Sequence, residues 1–193
     1  TKGSFVSIDL EEGARYIKMA ANKNYIPAIS DYSYMLAHGI GVPTNKELAI
    51  RYIKIAINKK SPTAMRIYGT MLEEGLGVPV NSKEAIKYYK MALDNGDKAA
   101  IICYARMLYK GEGIPADKEK AIEYFKTAIN DLNSVDAMFN LGYILTKEEG
   151  NDDPEKKKEG LIYIKKAADL GYLNAIKLYK ELLENDKEKA NFF

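Results

Sequence analysis

Apolar positions along this chain fall into short helical ladders separated by polar breaks. Ala49, Tyr52, Ile53 and Ala56 lie at i, i+3, i+4 and i+7, one stripe of an amphipathic helix. A second type of ladder precedes it, with Ala28, Tyr32 and Leu36 at i, i+4 and i+8 on one helical face. That ladder returns as Ala64, Tyr68, Leu72, then Ala100, Tyr104, Leu108, then Ala137, Leu141, Leu145, and last as Ala175, Tyr179, Leu183. The pattern therefore predicts alternating helices of two kinds, A and B, and no strand.

The breaks repeat too. Gly75-Leu76-Gly77-Val78-Pro79 is matched 36 residues earlier by Gly39-Ile40-Gly41-Val42-Pro43 and 36 later by Gly111-Glu112-Gly113-Ile114-Pro115. The first glycine suits a left-handed helix terminus, since it has no Cβ to clash at positive φ. The second glycine and the proline keep the connection tight and bar helical continuation. Asn45, Asn81 and Asp117 then stand where the N-cap of helix B belongs, and Asn81 with Glu84 has the form of a capping box.

A fixed period of this length signals a solenoid, in which each helix pair buries little alone and its neighbours complete the core. The expected fold is all-α: a right-handed superhelical solenoid of antiparallel helix pairs, about ten helices in a single repeat domain. A partial repeat occupies about 1–26. Repeats follow at about 27–62, 63–98, 99–135 and 136–173, with a terminal helix at about 174–185. Gly3, Val6 and Asp9 lie 36 before Gly39, Val42 and Asn45, so the chain is expected to start inside a repeat as a piece of a longer protein, with helix B at about 9–23. The fourth repeat departs from the pattern: residues 147–154 replace the glycine turn. Gly160, Tyr163 and Ala167 lie 39 beyond Ala121, Tyr124 and Ala128, predicting a helix B longer by nearly a turn, with Asp153 as cap and Pro154 at its first position. Asn191-Phe192-Phe193 is expected to fold back on the last helix or to mark a truncation.

These residues resemble the Sel-one-like repeat, a relative of the tetratricopeptide repeat, over nearly the whole chain. Tyr52, Tyr88 and Tyr124 stand in place of that family's frequent tryptophan, and its Leu-Gly pair is mostly Tyr followed by Ser33, Gly69 or Ala105. Some secreted bacterial members carry a cysteine pair per repeat; here Cys103 is the single cysteine, expected as an inert, partly buried thiol. A reducing, cytoplasmic compartment is the expectation.

Composition narrows the function classes. With 29 basic and 27 acidic residues the net charge is +2, which disfavours nucleic acid or an anionic membrane surface as the partner. No run of 18 apolar residues offers a membrane span. Catalytic constellations are missing. His38 is the single histidine and sits at a helix end, where its partial charge complements the dipole. The Gly-x-Gly turns close a helix before Val-Pro, whereas phosphate-cradling loops open directly into one. The lysine row Lys18, Lys54, Lys90, Lys126 and Lys165 is interleaved with Glu47, Glu84, Glu119 and Glu123, so it reads as a solvated outer face, as does the run 156–158. No enzyme activity, metal or cofactor is expected.

Similarity to tetratricopeptide repeats implies that helix A lines a concave surface. Counting from each ladder residue places Ser30, Tyr34, Ala37 and His38 there, then Arg66, Thr70, Glu73 and Glu74, then Ile102, Arg106, Tyr109 and Lys110, then Phe139, Tyr143, Thr146 and Lys147. Tyr34, His38, Arg66, Thr70, Arg106, Tyr109, Lys110, Phe139 and Tyr143 are the candidate partner-binding residues. Aromatics and arginines on a face without a folding role suit a groove for a protein or peptide. It differs from the carboxylate clamp of some tetratricopeptide proteins, because Ser30, Tyr34, Ala99 and Cys103 occupy the places of its Lys, Asn and Arg residues. The expected function is a non-catalytic, monomeric interaction module or adaptor. The alternative is a regulatory repeat segment that docks an enzyme domain of the same polypeptide.

Overall fold

The computed structural model describes residues 9–147 and 153–190, with the side chains of 185–190 left undescribed. Ten helices and no strand occur among these residues: α1 (Leu10–Asn22), α2 (Ile26–His38), α3 (Lys46–Asn58), α4 (Pro62–Glu74), α5 (Ser82–Asp94), α6 (Ala100–Lys110), α7 (Lys118–Leu132), α8 (Val135–Lys147), α9 (Pro154–Asp169) and α10 (Leu173–Ala190). Helices α2, α4, α6, α8 and α10 are of type A; α1, α3, α5, α7 and α9 are of type B. The chain gathers into two compact units, Thr1–Ala100 with Glu112–Ile114, and Ile101–Gly111 with Pro115–Phe193.

Local rules account for the helix ends. Gly39, Gly75 and Gly111 all take positive φ, at 73°, 71° and 73°. The side chains of Asn45, Asn81 and Asp117 accept the amides of Leu48, Glu84 and Lys120 at 2.9, 3.1 and 3.0 Å. The capping box at Asn81 is only half made. Glu84 receives the Asn81 side-chain amide at 3.3 Å instead of its backbone N–H. That N–H is already donated to the carbonyl of Leu72 at 2.8 Å, as Asn45 donates to Leu36 at 2.8 Å and Asp117 to Leu108 at 3.0 Å. Each cap thus ties the start of helix B to the last core leucine of its own helix A.

The second glycine does more than tighten the turn. Gly41, Gly77 and Gly113 are also at positive φ, and each lies against the first residues of the preceding helix B. A Cβ on Gly77 would meet the Lys46 carbonyl oxygen at 2.8 Å, and a Cβ on Gly41 or Gly113 would strike the carbonyls of Leu10 or Ser82.

The ladders form the core. Ala28, Tyr32, Leu36, Ala64, Tyr68, Leu72, Ala137, Leu141 and Leu145 are buried, as are Ala49, Ile53, Ala56, Ala85, Tyr89 and Ala92 on the B helices of the first unit. Tyrosines join A to B within a repeat: Tyr32 meets Tyr52 edge-on at 5.1 Å between centroids, Tyr68 meets Tyr88 at 4.8 Å, and Tyr104 meets Tyr124 at 5.7 Å. Edge-to-face pairs of this kind add about 1 kcal/mol to their buried area. The small position after the ladder tyrosine lets the two helices close up. Ser33 donates its hydroxyl to the Ala49 carbonyl at 2.8 Å, Gly69 lies under the ring of Tyr89, and Gly142 faces Gly160.

The fourth repeat departs as expected at the start of its helix B. Asp153 caps α9, Pro154 occupies the first turn, and Gly160 stands seven residues after its cap where Ala121 stands four after Asp117, although α9 at 16 residues is only one longer than α7 at 15. Of 147–154, only residues 147, 153 and 154 lie among those described. The terminal helix runs past its expected end at about 185 to Ala190, because no glycine or proline occurs between Tyr172 and Ala190 to stop it. Its last ladder residue, Leu183, is 38% exposed, with no helix after α10 among the described residues. The expectations for residues 1–8 and for Asn191-Phe192-Phe193 fall outside the described residues.

Candidate functional site

Helical register divides the candidate residues into groups that the structure treats differently. In the first unit, Ser30 and Ala37, expected on an open face, are buried between helices. Ser30 gives its hydroxyl to the Ile26 carbonyl at 3.2 Å and approaches the Ser61 hydroxyl at 3.5 Å. Arg66 is committed to an ion pair: its Nε donates to Asp97 Oδ2 at 2.9 Å, and the Asp97 side chain is only 8% exposed. The other Asp97 oxygen accepts the Ala99 amide at 3.0 Å, so one carboxylate serves both a neighbouring helix start and Arg66.

Thr70 is likewise engaged. The Tyr89 phenol donates to Glu73 Oε2 at 2.6 Å and lies within hydrogen-bond distance of Thr70 Oγ1 at 3.2 Å, so a buried ring keeps its polar tip satisfied. Tyr34 and His38, one helical turn apart on α2, stack with centroids 4.3 Å apart and both are exposed.

Position 30 and its equivalents make one recurring contact. Ser30 reaches Ser61, Arg66 reaches Asp97, and Phe139 packs on Tyr172 with centroids 5.1 Å apart. Each partner lies at the start of the next helix A. The chemistry changes from repeat to repeat while the geometry is kept, which is why a face expected to be free is used partly for packing. Nothing in the sequence marked this contact except the shared offset of about one repeat.

The second unit concentrates the remaining candidates. Arg106, Tyr109 and Lys110 on α6 and Phe139 and Tyr143 on α8 line one cavity of about 310 Å³, together with Phe125, Asn140 and Ile144. The phenyl ring of Phe125 and the side chain of Ile144 are buried and give an apolar floor. Tyr143 is 50% exposed and its ring lies 6.3 Å from that of Phe139. Lys118 sits over the face of Tyr109 at 5.5 Å from the centroid. Asn140 holds its side-chain amide on the Asp136 carbonyl at 2.7 Å.

Electrostatics around the cavity involve Tyr172, behind Phe139. Burial pushes its phenol above the ordinary range, the nearby Asp136 carboxylate and a hydrogen bond to it push in the same direction, and Arg106 acts in the opposite sense. Thr146 returns its hydroxyl to the Gly142 carbonyl of its own helix at 2.8 Å, and Lys147 pairs across to Glu181 of α10 at 2.7 Å. The cavity is therefore a cleft of three rings and two cationic side chains over an apolar floor. It suits burying an apolar side chain beside an acidic one.

No group of three or more His, Cys, Asp or Glu side chains among the described residues is arranged to hold an ion. Cys103 is half-buried within α6. No helix among the described residues is long and apolar enough to cross a membrane.

Stacked A–B pairs with glycine turns define a helical-repeat solenoid protein. The Sel1 repeat model matches residues 1–25, 26–61, 62–97, 100–131 and 135–172, and the chain belongs to the Sel1 repeat family. Its fold is similar to that of a Sel1 repeat protein from Oxalobacter formigenes, with a TM-score of 0.67 and 29% identity over 89% of this chain and 69% of the other. It is also similar to a protective antigen of uropathogenic Escherichia coli strains displaying an SLR fold, with a TM-score of 0.62 and 23% identity over 92% of this chain and 37% of that one. A putative Sel1 repeat protein from Klebsiella pneumoniae shares the fold at a TM-score of 0.62 and 14% identity, over 87% of this chain and 98% of that one. No curated protein matches this sequence. Sel1 repeat proteins generally mediate protein–protein interaction and are typically non-catalytic scaffolds.

Proposed function

We propose that this chain is a non-catalytic adaptor that captures a peptide segment of a protein partner on the α6–α8 face of its second unit. The observation that carries this reading is the convergence of Arg106, Tyr109, Lys110, Phe139 and Tyr143 on a single cavity. Rigid tyrosine and phenylalanine rings supply contact area at little entropic cost, and arginine offers a planar fork for a carboxylate. The peptide is one with an apolar side chain next to Asp or Glu. Tyr34 and His38 form a smaller aromatic pair on the first unit that suits an accessory contact, whereas Arg66 and Thr70 support the fold beneath it.

Selection of peptides from a random library on the intact chain, followed by titration of the enriched sequences, tests the proposal. Enriched peptides should pair an apolar residue with an acidic one. The Arg106→Ala, Tyr109→Ala double variant should lose about 2 kcal/mol of binding, roughly thirtyfold in Kd, while melting as the parent does. Unchanged affinity in that variant would overturn the reading.

A further inference from the structure

A second cavity, of about 430 Å³, lies on the first unit between α1, α2 and residues 42–45, which lead into α3. Leu36, Val42 and Pro43 give it an apolar lining, and Glu11, Arg15 and Lys18 of α1 stand at its rim. Tyr32 lines it as well. That residue is only 3% exposed, and its ring packs edge-on against Tyr52. Its hydroxyl makes no hydrogen bond among the described residues, yet the oxygen is not shut off from solvent. The little of Tyr32 that solvent reaches therefore includes its polar tip. A buried tyrosine usually brings that tip to a partner, as Tyr89 does with Glu73.

Lys18 is likewise without a hydrogen bond or ion pair among the described residues, and Arg15 has an exposed contact with Glu12 at 3.2 Å, a weak kind of pair. Lys18 lies four residues before the last residue of α1 and Tyr32 six after the first of α2. In this antiparallel, packed pair the two therefore stand about 3 Å apart in height. Glu11 belongs to the other end of α1, beside Leu10, whose carbonyl adjoins Gly41. A free hydroxyl and a free ammonium thus share one end of the cavity, with the acid at the other.

The second repeat shows which chemistry suits a phenol at this place. Tyr68 occupies the corresponding position, and burial, Tyr88 and the Glu84 carboxylate all raise its pKa, so it stays a protonated donor near an acid. In the first repeat Leu48 stands in place of Glu84. We propose that the cavity is a second binding site, which takes a glutamate of a partner protein. The carboxylate accepts the Tyr32 hydroxyl and pairs with Lys18, and an apolar neighbour of that glutamate covers Val42 and Pro43. A hydroxyl and an ammonium together call for an acceptor, and the cationic charge makes it an anion. Arg15, Lys18, Pro43 and Thr44 are exposed around the opening, so the cleft is too open to enclose a small free acid, whereas a protein chain laid across it covers the rim.

The test titrates two blocked peptides, acetyl-Gly-Leu-Glu-Leu-Gly-amide and the same peptide with glutamine for glutamate, into the isotopically labelled intact chain. The amide signals of Val42 and Thr44 are followed; both belong to the first unit, so they report this cavity apart from binding at α6 and α8. The glutamate peptide should shift them saturably with a Kd below about 10 mM, and the glutamine peptide should bind about fivefold more weakly. Tyr32→Phe and Lys18→Gln should each weaken the glutamate peptide about fivefold. Tyr32→Phe should also melt as the parent does, because the hydroxyl it loses serves no other group of the fold. Absent saturation, equal affinity of the two peptides, or an unchanged Kd in Tyr32→Phe would overturn the proposal. So would sodium hexanoate binding as tightly as the glutamate peptide, which would make the occupant a free acid, or a lowered melt of Tyr32→Phe, which would give the hydroxyl a role inside the fold.

Discussion

The ring of Tyr89 lies so close over Gly69 that a Cβ built on that glycine would stand 2.7 Å from a ring carbon. The two residues compensate each other. Tyr89 sits where α3 has Ile53 and α7 has Phe125, and glycine at 69, where other repeats have Ser33 or Ala105, makes the room. Alanine is normally the better helix former by about 1 kcal/mol, yet Gly69→Ala should destabilise the protein by about 1–3 kcal/mol through overpacking. In the double variant Gly69→Ala, Tyr89→Ile most of that loss should be recovered. Urea denaturation of the two variants and the parent checks it, and equal losses in single and double variants would contradict the coupling.

The paired glycines of a turn should differ in cost. Gly75→Ala meets chiefly the penalty of positive φ, about 1–2 kcal/mol, because the nearest obstacle is the Val80 side chain at 3.0 Å. Gly77→Ala adds a collision with the Lys46 backbone and should cost clearly more. Denaturation midpoints for both variants decide the order.

Much of the fold was legible in the sequence because repetition multiplies weak signals. One glycine turn is ambiguous, whereas Gly39, Gly75 and Gly111 in register locate three helix ends, and Asn45, Asn81 and Asp117 three starts. The close approach of Gly77 to Lys46 was not legible, since it depends on how one repeat sits on the next. For the candidate face, register put Arg66 and Arg106 on the same kind of helix. It could not show that Arg66 would be taken by Asp97 while Tyr109, Phe139 and Tyr143 gathered around one cavity. Those distinctions rest on side-chain partners in the following repeat, which helical spacing does not specify.

Arg66 is thus expected to matter for folding. Arg66→Ala leaves the largely buried Asp97 carboxylate without its ion-pair partner and should lower stability by about 2 kcal/mol. Thermal melting of Arg66→Ala against the conservative Arg66→Lys, which keeps the charge, measures it. A melt identical to the parent would show the pair to be dispensable.

Asp31 gives the stability a pH dependence. Although Asp31 is exposed, partial desolvation by its surroundings raises its carboxyl pKa, and the attraction of Arg66 opposes this only in part. With the folded-state pKa above the unfolded one, folding favours the neutral acid. That contribution is present below the unfolded pKa and is lost as pH rises through the folded value. Asp31→Asn should therefore melt higher than the parent at neutral pH, and the difference should vanish in acid below the usual aspartate range. A parent that melts higher than the variant at neutral pH would reverse the sign.

The most direct measurement is amide chemical-shift mapping of a library-selected peptide titrated into isotopically labelled protein. The account predicts shifts concentrated on α6 and α8, around Arg106, Tyr109, Phe139 and Tyr143. Shifts confined to other helices, with those four unmoved at saturation, would contradict it.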